Sequence, residues 1–448
     1  MTHNDLNIRR RIVVIGGGFA GLNLIKHLSA SEFEVTLVDK NNFNYFTPLL
    51  YQVATGFLEP SSISYPLRKL VNTKGFNFRQ GELSSIDSTN NRIILTDGDE
   101  LEYDHLVIAA GTKTNFFGNA ALQKNAFELK EIADALTMRN TLIRVLERAS
   151  VETDPDLRKK LLTIVIAGGG PTGVEVAGML AEMNHKIVGE DYPELDDEQL
   201  IIHVVDGAPY LLAPMSDKSH RAAFDILTRL GVKVHLNELV KSYEGETVHL
   251  SSGNTIDAAT LIWSAGVVAH SFEGISPQVV GKGGRLLTDA FNKVSGYDNI
   301  YAIGDISIQF TDKAYPNGHP QVVQPAIQQG KRLAKNLNAL AKGKSQKAFS
   351  YFDRGDMAII GKSYAVADLF KHKLHMGGLL GLLAWLFIHV ISLVNYNNKI
   401  KTLYNWAIAY LTSDPSLRMI FQPNDKQHKF QQQSEREPEG RAKTSKVA

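Results

Sequence analysis

The chain has 448 residues, is 44% hydrophobic and 21% charged, and carries a formal net charge of +1. That length fits two or three domains with ordinary apolar cores, and the near-neutral balance argues against a nucleic-acid binder, which shows a strong basic excess. There is no cysteine, which excludes structural disulfides, iron–sulfur clusters and thiolate catalysis within the chain.

At the N-terminus, basic residues precede an apolar stretch that runs straight into a glycine loop rather than a cleavage site, so no signal peptide is expected and the folded part is expected in the cytoplasm. Residues 11–15 (RIVVI) read as a short buried strand, followed by the loop "GGGFAG" and a helix to about Leu28. A second strand is expected at 34–39 (EVTLVD), then a loop and helix start rich in aromatics, "KNNFNYFTPLLYQVATG". Residues 106–112 (LVIAAGT) predict another buried strand ending in Gly111. The pattern then restarts. A strand at 163–167 (TIVIA), the loop "GGGPTG", a helix to about Met183, a polar insertion "GEDYPELDDEQ" and a strand at 201–206 (IIHVVD) repeat the first unit. Residues 261–267 (LIWSAGV) mirror 106–112, 300–305 (IYAIGD) add a strand ending in an acid, and a helix is expected from Val322 to about Leu340. Strands alternating with helices at this spacing imply parallel, doubly wound sheets.

After Phe349 the style changes. Residues 377–394 are uncharged and apolar, 403–411 are apolar with one Trp and two Tyr, and the stretch from Gln422 is polar enough to be disordered. From Lys371 to Ala448 eleven Lys and Arg stand against five Asp and Glu, a local excess that suits an anionic membrane surface or a solvated tail.

In a G-x-G-x-x-G loop the first glycine makes the strand-to-helix turn, the second lets a pyrophosphate approach the backbone, and the third lets helix and strand pack closely. Gly16, Gly18 and Gly21 fill those places, and Gly168, Gly170 and Gly173 fill them again. The anion would sit at the helix N-terminus, and a carboxylate at the end of the next strand would hold a ribose hydroxyl. Asp39 and Asp206 occupy that position. An acid there favours NAD(H) over NADPH in the second loop. Two dinucleotides in one chain imply electron transfer between a nicotinamide and a flavin.

The order "GGGFAG…VTLVDK…LVIAAGT…IAGGGPTGVE…VVD…LIWSAGV…IYAIGD" resembles the two-dinucleotide-binding-domain flavoprotein reductases. More narrowly, "NYFTPLLYQVATG", "GGGPTGVEVAGMLAEM" and "VVQPAIQQGKRLAKNL" resemble the type II NADH dehydrogenases, single-chain NADH:quinone oxidoreductases, over about residues 10–415. The resemblance implies an α/β fold with two Rossmann-like domains in a glutathione-reductase-like arrangement and a C-terminal membrane-associating helical segment. Residues 1–115 and 271–345 would form the FAD-binding domain, 116–270 the NADH-binding domain, 346–421 the membrane-anchoring region and 422–448 a disordered tail. FAD would be tightly but non-covalently held by the first loop, and NADH would enter the second as substrate. The cofactor-binding residues are then expected to be Gly16, Gly17, Gly18, Phe19, Ala20, Gly21, Asp39, Lys40, Gln52, Ala110, Gly111, Gly168, Gly170, Gly173, Asp206, Gly266, Gly304 and Asp305, with residues 47–52 beside the isoalloxazine. Glu175 would lie near the nicotinamide and flavin rings, unless it is an acid that only meets the helix dipole. Gln324 and Gln328, four apart on one helix face, would stand where quinone meets flavin; they could equally be surface amides. Val323 and Pro325 depart from the family pattern there, and Pro325 sets Gln324 at the helix start. No metal site is expected.

A quinone acceptor lives in lipid. Residues 377–394 would make a helix of about 27 Å, short of a comfortable span. Basic residues flank both ends, Lys371, His372, Lys373 and His375 before and Lys399 and Lys401 after, and a spanning helix usually shows a bias. A monotopic anchor on the cytoplasmic face is therefore expected, with Trp385, Trp406 and Tyr410 at the interface; a single span and a dimer-interface helix are the alternatives, and a homodimer is compatible with the sequence. No pumping is expected. Disulfide reductases and sulfide:quinone reductases on this scaffold need a redox cysteine that this chain lacks. A soluble ferredoxin reductase and an NADH-sensing flavoprotein are the competing functions.

Overall fold

The computed structural model describes residues 9–184, 188, 191–195, 199–412 and 419–420. The expected tail from Gln422 and part of the polar insertion lie outside these residues.

The two halves of the chain build the same unit. The β-branched strand Arg10–Ile15 lies between Phe33–Asp39 and His105–Ile108, with Asn77–Gln80 and Ile300–Ala302 outside, all parallel. Thr163–Ala167, buried at every residue, lies in the same way between Ile201–Asp206 and Thr260–Trp263, with Lys233–Leu236 outside. Strands buried on both faces read as continuous apolar runs, which is why they were legible. Ile300–Ala302 joins the first sheet after the chain has completed the second one.

Two expected strands end sooner than their apolar runs. His105–Ile108 and Thr260–Trp263 stop before Gly111 and Gly266, whose φ values of 69° and 155° turn the backbone. Beyond the turns, Thr112–Thr114 pairs antiparallel with Val267–Ala269. The mirrored sequences thus meet as a two-stranded tie between the units.

Two helices cross at a glycine. Phe19–His27 packs on Val323–Ala341, and a Cβ on Gly330 would collide with the Ala20 carbonyl and lie 3.0 Å from the Leu24 nitrogen. Asn338 locks the far end, accepting from Ser29 N–H (3.0 Å) and donating to His27 C=O (2.8 Å).

The C-terminal region holds more than helices. Gly355–Ile360, Tyr364–Leu369 and Leu374–Gly377 form an antiparallel sheet that the sequence reading passed over, because its strands are short and its middle one is buried without alternation. Helices press on it closely: a Cβ on Gly381 of the helix that follows would clash with the Ala365 carbonyl of the middle strand, and one on Gly178 of the Pro171–Met183 helix with the Gly361 nitrogen in the turn before it. The apolar run 377–394 makes a single helix that is shorter than the run. It forms Gly378–Ser392, about 22 Å long at ~1.5 Å per residue, and the chain turns before Tyr396–Thr412. Lys399 Nζ donates to Ile391 C=O at 2.9 Å, satisfying an orphan carbonyl at the end of the first helix. Among the described residues no helix is long and apolar enough to cross a membrane.

Gly330→Val is expected to force the crossing helices apart against two backbones, lowering stability by about 2 kcal/mol or more. A thermal midpoint equal to the parent's, followed by circular dichroism, would contradict that packing.

Candidate active site

Each glycine loop is a steric solution. A Cβ on Gly21 or Gly173 would run into the carbonyl of Gly16 or Gly168, so the third glycine allows the helix to sit on the turn. Gly18 and Gly170 are the helix N-caps, and a Cβ there would meet nothing within 4 Å. Neither cap has a side-chain hydrogen bond, and neither first turn contains an acid. The free N–H groups thus face open space, which fits a pyrophosphate.

The acids are drawn onto these loops. Asp39 accepts from Gly17 N–H (2.6 Å) and Asn41 N–H (2.8 Å), and burial pushes its carboxyl up against those bonds. Asp206 accepts from Gly169 N–H and from Ala208 N–H (2.7 Å). Both acids therefore brace the middle glycine of their loop. Asn44 donates to Gly17 C=O (2.8 Å) from the other side. Lys40 is an exposed partner of Glu131.

Three chain segments converge beside the first loop. A Cβ on Gly304 would be 3.0 Å from that of Ala20 and 3.5 Å from that of Ala326, so Ala20, the Gly304–Ile306 turn and the start of the Val323–Ala341 helix share one space. Gln329, overlooked in the sequence, is buried there and accepts from Gly304 N–H at 2.6 Å. Its signal was an amide on the inward face of the helix, one residue past the expected Gln328. Burial raises the Asp305 carboxyl, partly offset by Lys130 and Arg285. Lys130, also overlooked, is pushed down by burial and donates to Thr112 Oγ1 at 3.1 Å. Ala110 and Gly111 follow the strand end of the first unit, and Gly266 follows that of the second.

The glutamines separate. Gln324 is half-buried in the first turn and makes no hydrogen bond among the described residues. Gln328 is occupied: its amide donates to Phe352 C=O (2.9 Å) and accepts from Phe352 N–H (3.0 Å).

Glu175 sits in the second turn of the Pro171–Met183 helix, 8% exposed. Burial pushes its carboxyl up to about 8, opposed by the Ile359 N–H at 3.5 Å and by the Trp385 indole. Buried beside Ile359 and Trp385, the carboxyl meets more than the helix dipole. Around it the C-terminal helices close an aromatic wall. Trp385 is fully buried, stacks on His389 (3.8 Å) and lies 5.6 Å from Trp406. His389 Nδ1–H donates to Trp385 C=O (2.8 Å), and burial lowers this histidine to about 4. Phe46 meets His389 edge-on (6.0 Å), and Phe19 of the first loop meets Phe46 edge-on (5.6 Å). Trp406 Nε1–H donates to Gln52 Oε1 (2.7 Å), while Gln52 Nε2 donates to the Tyr51 hydroxyl (3.0 Å). The Gln52 side chain is thus spent on fastening the last helix, and its backbone carbonyl accepts from Phe57 and Leu58 N–H.

This arrangement corrects the expected interface aromatics. Trp385 and Trp406 face inward, and the Tyr410 hydroxyl donates to Lys362 C=O at 2.7 Å. Outward stand Leu379, Leu380, Leu383, Phe387 and Ile391 of the first helix, with Tyr396, Ile400, Leu403 and Tyr404 of the second, all at least half exposed.

Glu175→Gln tests the buried carboxyl. In the unfolded chain the acid ionises near its ordinary 4.5, and in the fold near 8, so unfolding releases a proton between those values. Parent stability relative to the variant is expected to decline from pH 4.5 to about 8 and then level off. Urea unfolding across that range checks it; a pH-independent difference would mean the carboxyl is buried ionised.

With this geometry in place, the family models fit the chain in two stretches: pyridine nucleotide-disulphide oxidoreductase over residues 10–330 and the NDH2 C-terminal domain over 354–419. A type II NADH:quinone oxidoreductase, NdhA, of Mycobacterium tuberculosis is 34% identical over 90% of this chain and 87% of its own length. The type II NADH:quinone oxidoreductase of Staphylococcus saprophyticus is 30% identical over 79% of this chain and 88% of its own. The structure of NDH2 from Plasmodium falciparum in complex with NADH superposes with a TM-score of 0.83 over 92% of this chain and all of that one, at 22% identity, a likeness of fold. The chain belongs to the pyridine nucleotide-disulphide oxidoreductase family and, within it, to the type II NADH:quinone oxidoreductases.

Proposed function

We propose that this chain takes two electrons from NADH and delivers them through FAD to a quinone held in a lipid bilayer, without pumping protons. The observation that carries the reading is the position of Glu175. It lies on the helix that opens from the second dinucleotide loop, and the helix bearing the outward apolar stripe presses Trp385 against it. Nucleotide site and lipid-facing surface are therefore two sides of one wall.

FAD, when bound, would supply the two-electron redox chemistry. The chain's own part is to hold, orient and exclude water. The N–H groups at Gly18 and Gly170 receive the two pyrophosphates, with Asp39 and Asp206 toward the riboses. Ala110, Gly111, Gly304 and Asp305 border the arm of the first dinucleotide, with Phe19, Ala20 and Lys40 at its edge, and Gly266 borders the second. Protonated at neutral pH, Glu175 can donate a hydrogen bond to a carbonyl or amide oxygen of an arriving ring. The Val323–Ala341 helix starts without an acid, so its positive end favours negative charge developing near Gln324. Gln324, with its free amide, is the better quinone contact. Gln328 positions the Phe352 backbone.

The same reading assigns residues 1–115 and 271–345 to the FAD-binding domain, 116–270 to the NADH-binding domain and 346–421 to a monotopic anchor at the cytoplasmic face. The nine outward side chains are the supporting feature. Each half-buried residue of this size gains on the order of 1 kcal/mol on entering an apolar phase, and the two-helix unit presents them together.

Rapid mixing tests the function: flavin absorbance should bleach with NADH and return with a short-chain quinone. A colourless isolated protein, or reduced flavin that quinone leaves unchanged, would overturn it. Gln324→Ala is expected to slow the return severalfold and leave the bleaching and the fold unchanged, whereas Gln328→Ala should also lower the thermal midpoint. Changing Leu379, Leu380, Leu383 and Phe387 together to Ser should release the protein from vesicles while short-chain quinone turnover persists; retention on vesicles would refute the lipid-facing stripe. Truncation at Lys371 would be a poorer test, since it removes Trp385 from Glu175.

A further inference from the structure

A groove of about 330 Å³ lies on the outer face of the Asp217–Arg229 helix, walled on its far side by Tyr364 of the C-terminal sheet. Lys218, Arg221, Asp225 and Arg229 line it at spacings that repeat one helix face, with Ile226 in the floor. Its charge is three positive against one negative. No ion pair within 4 Å holds any of these four side chains among the described residues; Arg221 makes only a long bond, through Nε, to Asp217 C=O at 3.4 Å. Two forked guanidiniums and an ammonium left unpaired around one cavity are a donor set for a phosphate-type anion.

Tyr364 tells what kind of phosphate. Ala365 bridges to Gly378, a Cβ on Gly377 would be 3.0 Å from the Tyr364 hydroxyl, and one on Gly378 would be 3.6 Å from its ring. Gly378 opens the helix whose first turn carries Leu379 and Leu380, 67% and 65% exposed. The basic groove therefore ends where the apolar stripe begins. A charged cavity beside side chains that enter the acyl layer sits at headgroup depth. We propose that this groove binds the phosphate of an anionic phospholipid headgroup, so that the nucleotide-binding half of the chain, and not only its C-terminal anchor, grips the membrane. The proposal rests on the lipid-facing assignment of the Gly378–Ser392 helix.

The test uses the full-length holoprotein and flotation with neutral phosphatidylcholine vesicles or vesicles containing phosphatidylglycerol. Arg221→Gln with Arg229→Gln is expected to lose the preference for anionic vesicles by about tenfold or more, with neutral-vesicle binding and short-chain quinone turnover unchanged. Asp225→Asn, which removes the one carboxylate, is expected to strengthen that preference, a gain that misfolding cannot produce. As a charge-matched control, Lys124→Gln on the Ala120–Asn125 helix with Lys241→Gln on the Val240–Glu244 strand, both exposed and neither lining the groove, should have little effect. The groove is refuted if the arginine pair changes nothing or if the control loses as much. It is reassigned to a free anion, and the lipid proposal overturned, if millimolar inorganic phosphate abolishes the anionic preference while neutral binding persists. Failure of the parent to bind vesicles of either composition would instead refute the lipid-facing stripe itself.

Discussion

Burying a carboxyl at the meeting of three elements is the constraint around which this molecule is arranged. An ionised Glu175 in that position would carry a large desolvation penalty, and with a single 3.5 Å backbone donor near it the group stays protonated to about pH 8. Keeping it neutral requires keeping water out. The Pro171–Met183 helix, the strand ending at Ile360 and the Gly378–Ser392 helix do so together, and Trp385 closes the remaining side. Removing any of them would lower the carboxyl toward its solution value and change what it can donate.

The two dinucleotide units solve one problem twice. Each needs an open helix N-terminus close to a sheet edge, and each uses the acid of the neighbouring strand to pin the loop in that shape. Asp39 on Gly17 and Asp206 on Gly169 are the same device. The short Thr112–Thr114 and Val267–Ala269 tie then fixes how the units face each other, because a two-stranded pairing leaves little freedom to slide. In the first unit the crossing at Gly330 brings a further helix start to the loop. Its convergence with Gly304 and Ala20 concentrates positive dipole ends around the space in which an anionic cofactor arm and a reducible ring would lie.

The C-terminal helices work by having two unlike faces. Trp385 and Trp406 turn inward, the first lying beside Glu175 and the second donating its indole N–H to Gln52, and aliphatic, phenyl and phenolic side chains are left outside. The apolar run is long because both faces are apolar, one packed on the core and one exposed. The run's length suggested a nearly spanning segment, but its helix ends at Ser392, where Lys399 caps the Ile391 carbonyl, and the chain turns before Tyr396.

By itself the sequence determined what depends on neighbours along the chain. Loop glycines, strand-end acids and buried β-branched runs are local, since a tight turn and a helix start need only a handful of consecutive residues; those features led to the family. The absence of cysteine was equally final for the redox chemistry it excludes. Only the tertiary structure could decide which of two adjacent glutamines points inward, that Gln52 is taken by a tryptophan 354 residues away, that Gln328 is held by Phe352, and which face of residues 378–392 is left exposed. It also decided the protonation of Glu175, because an acid's environment is set by what packs over it. The short C-terminal sheet belongs with these: its strands become recognisable once a helix covers each face, and nothing in their own residues announces those partners.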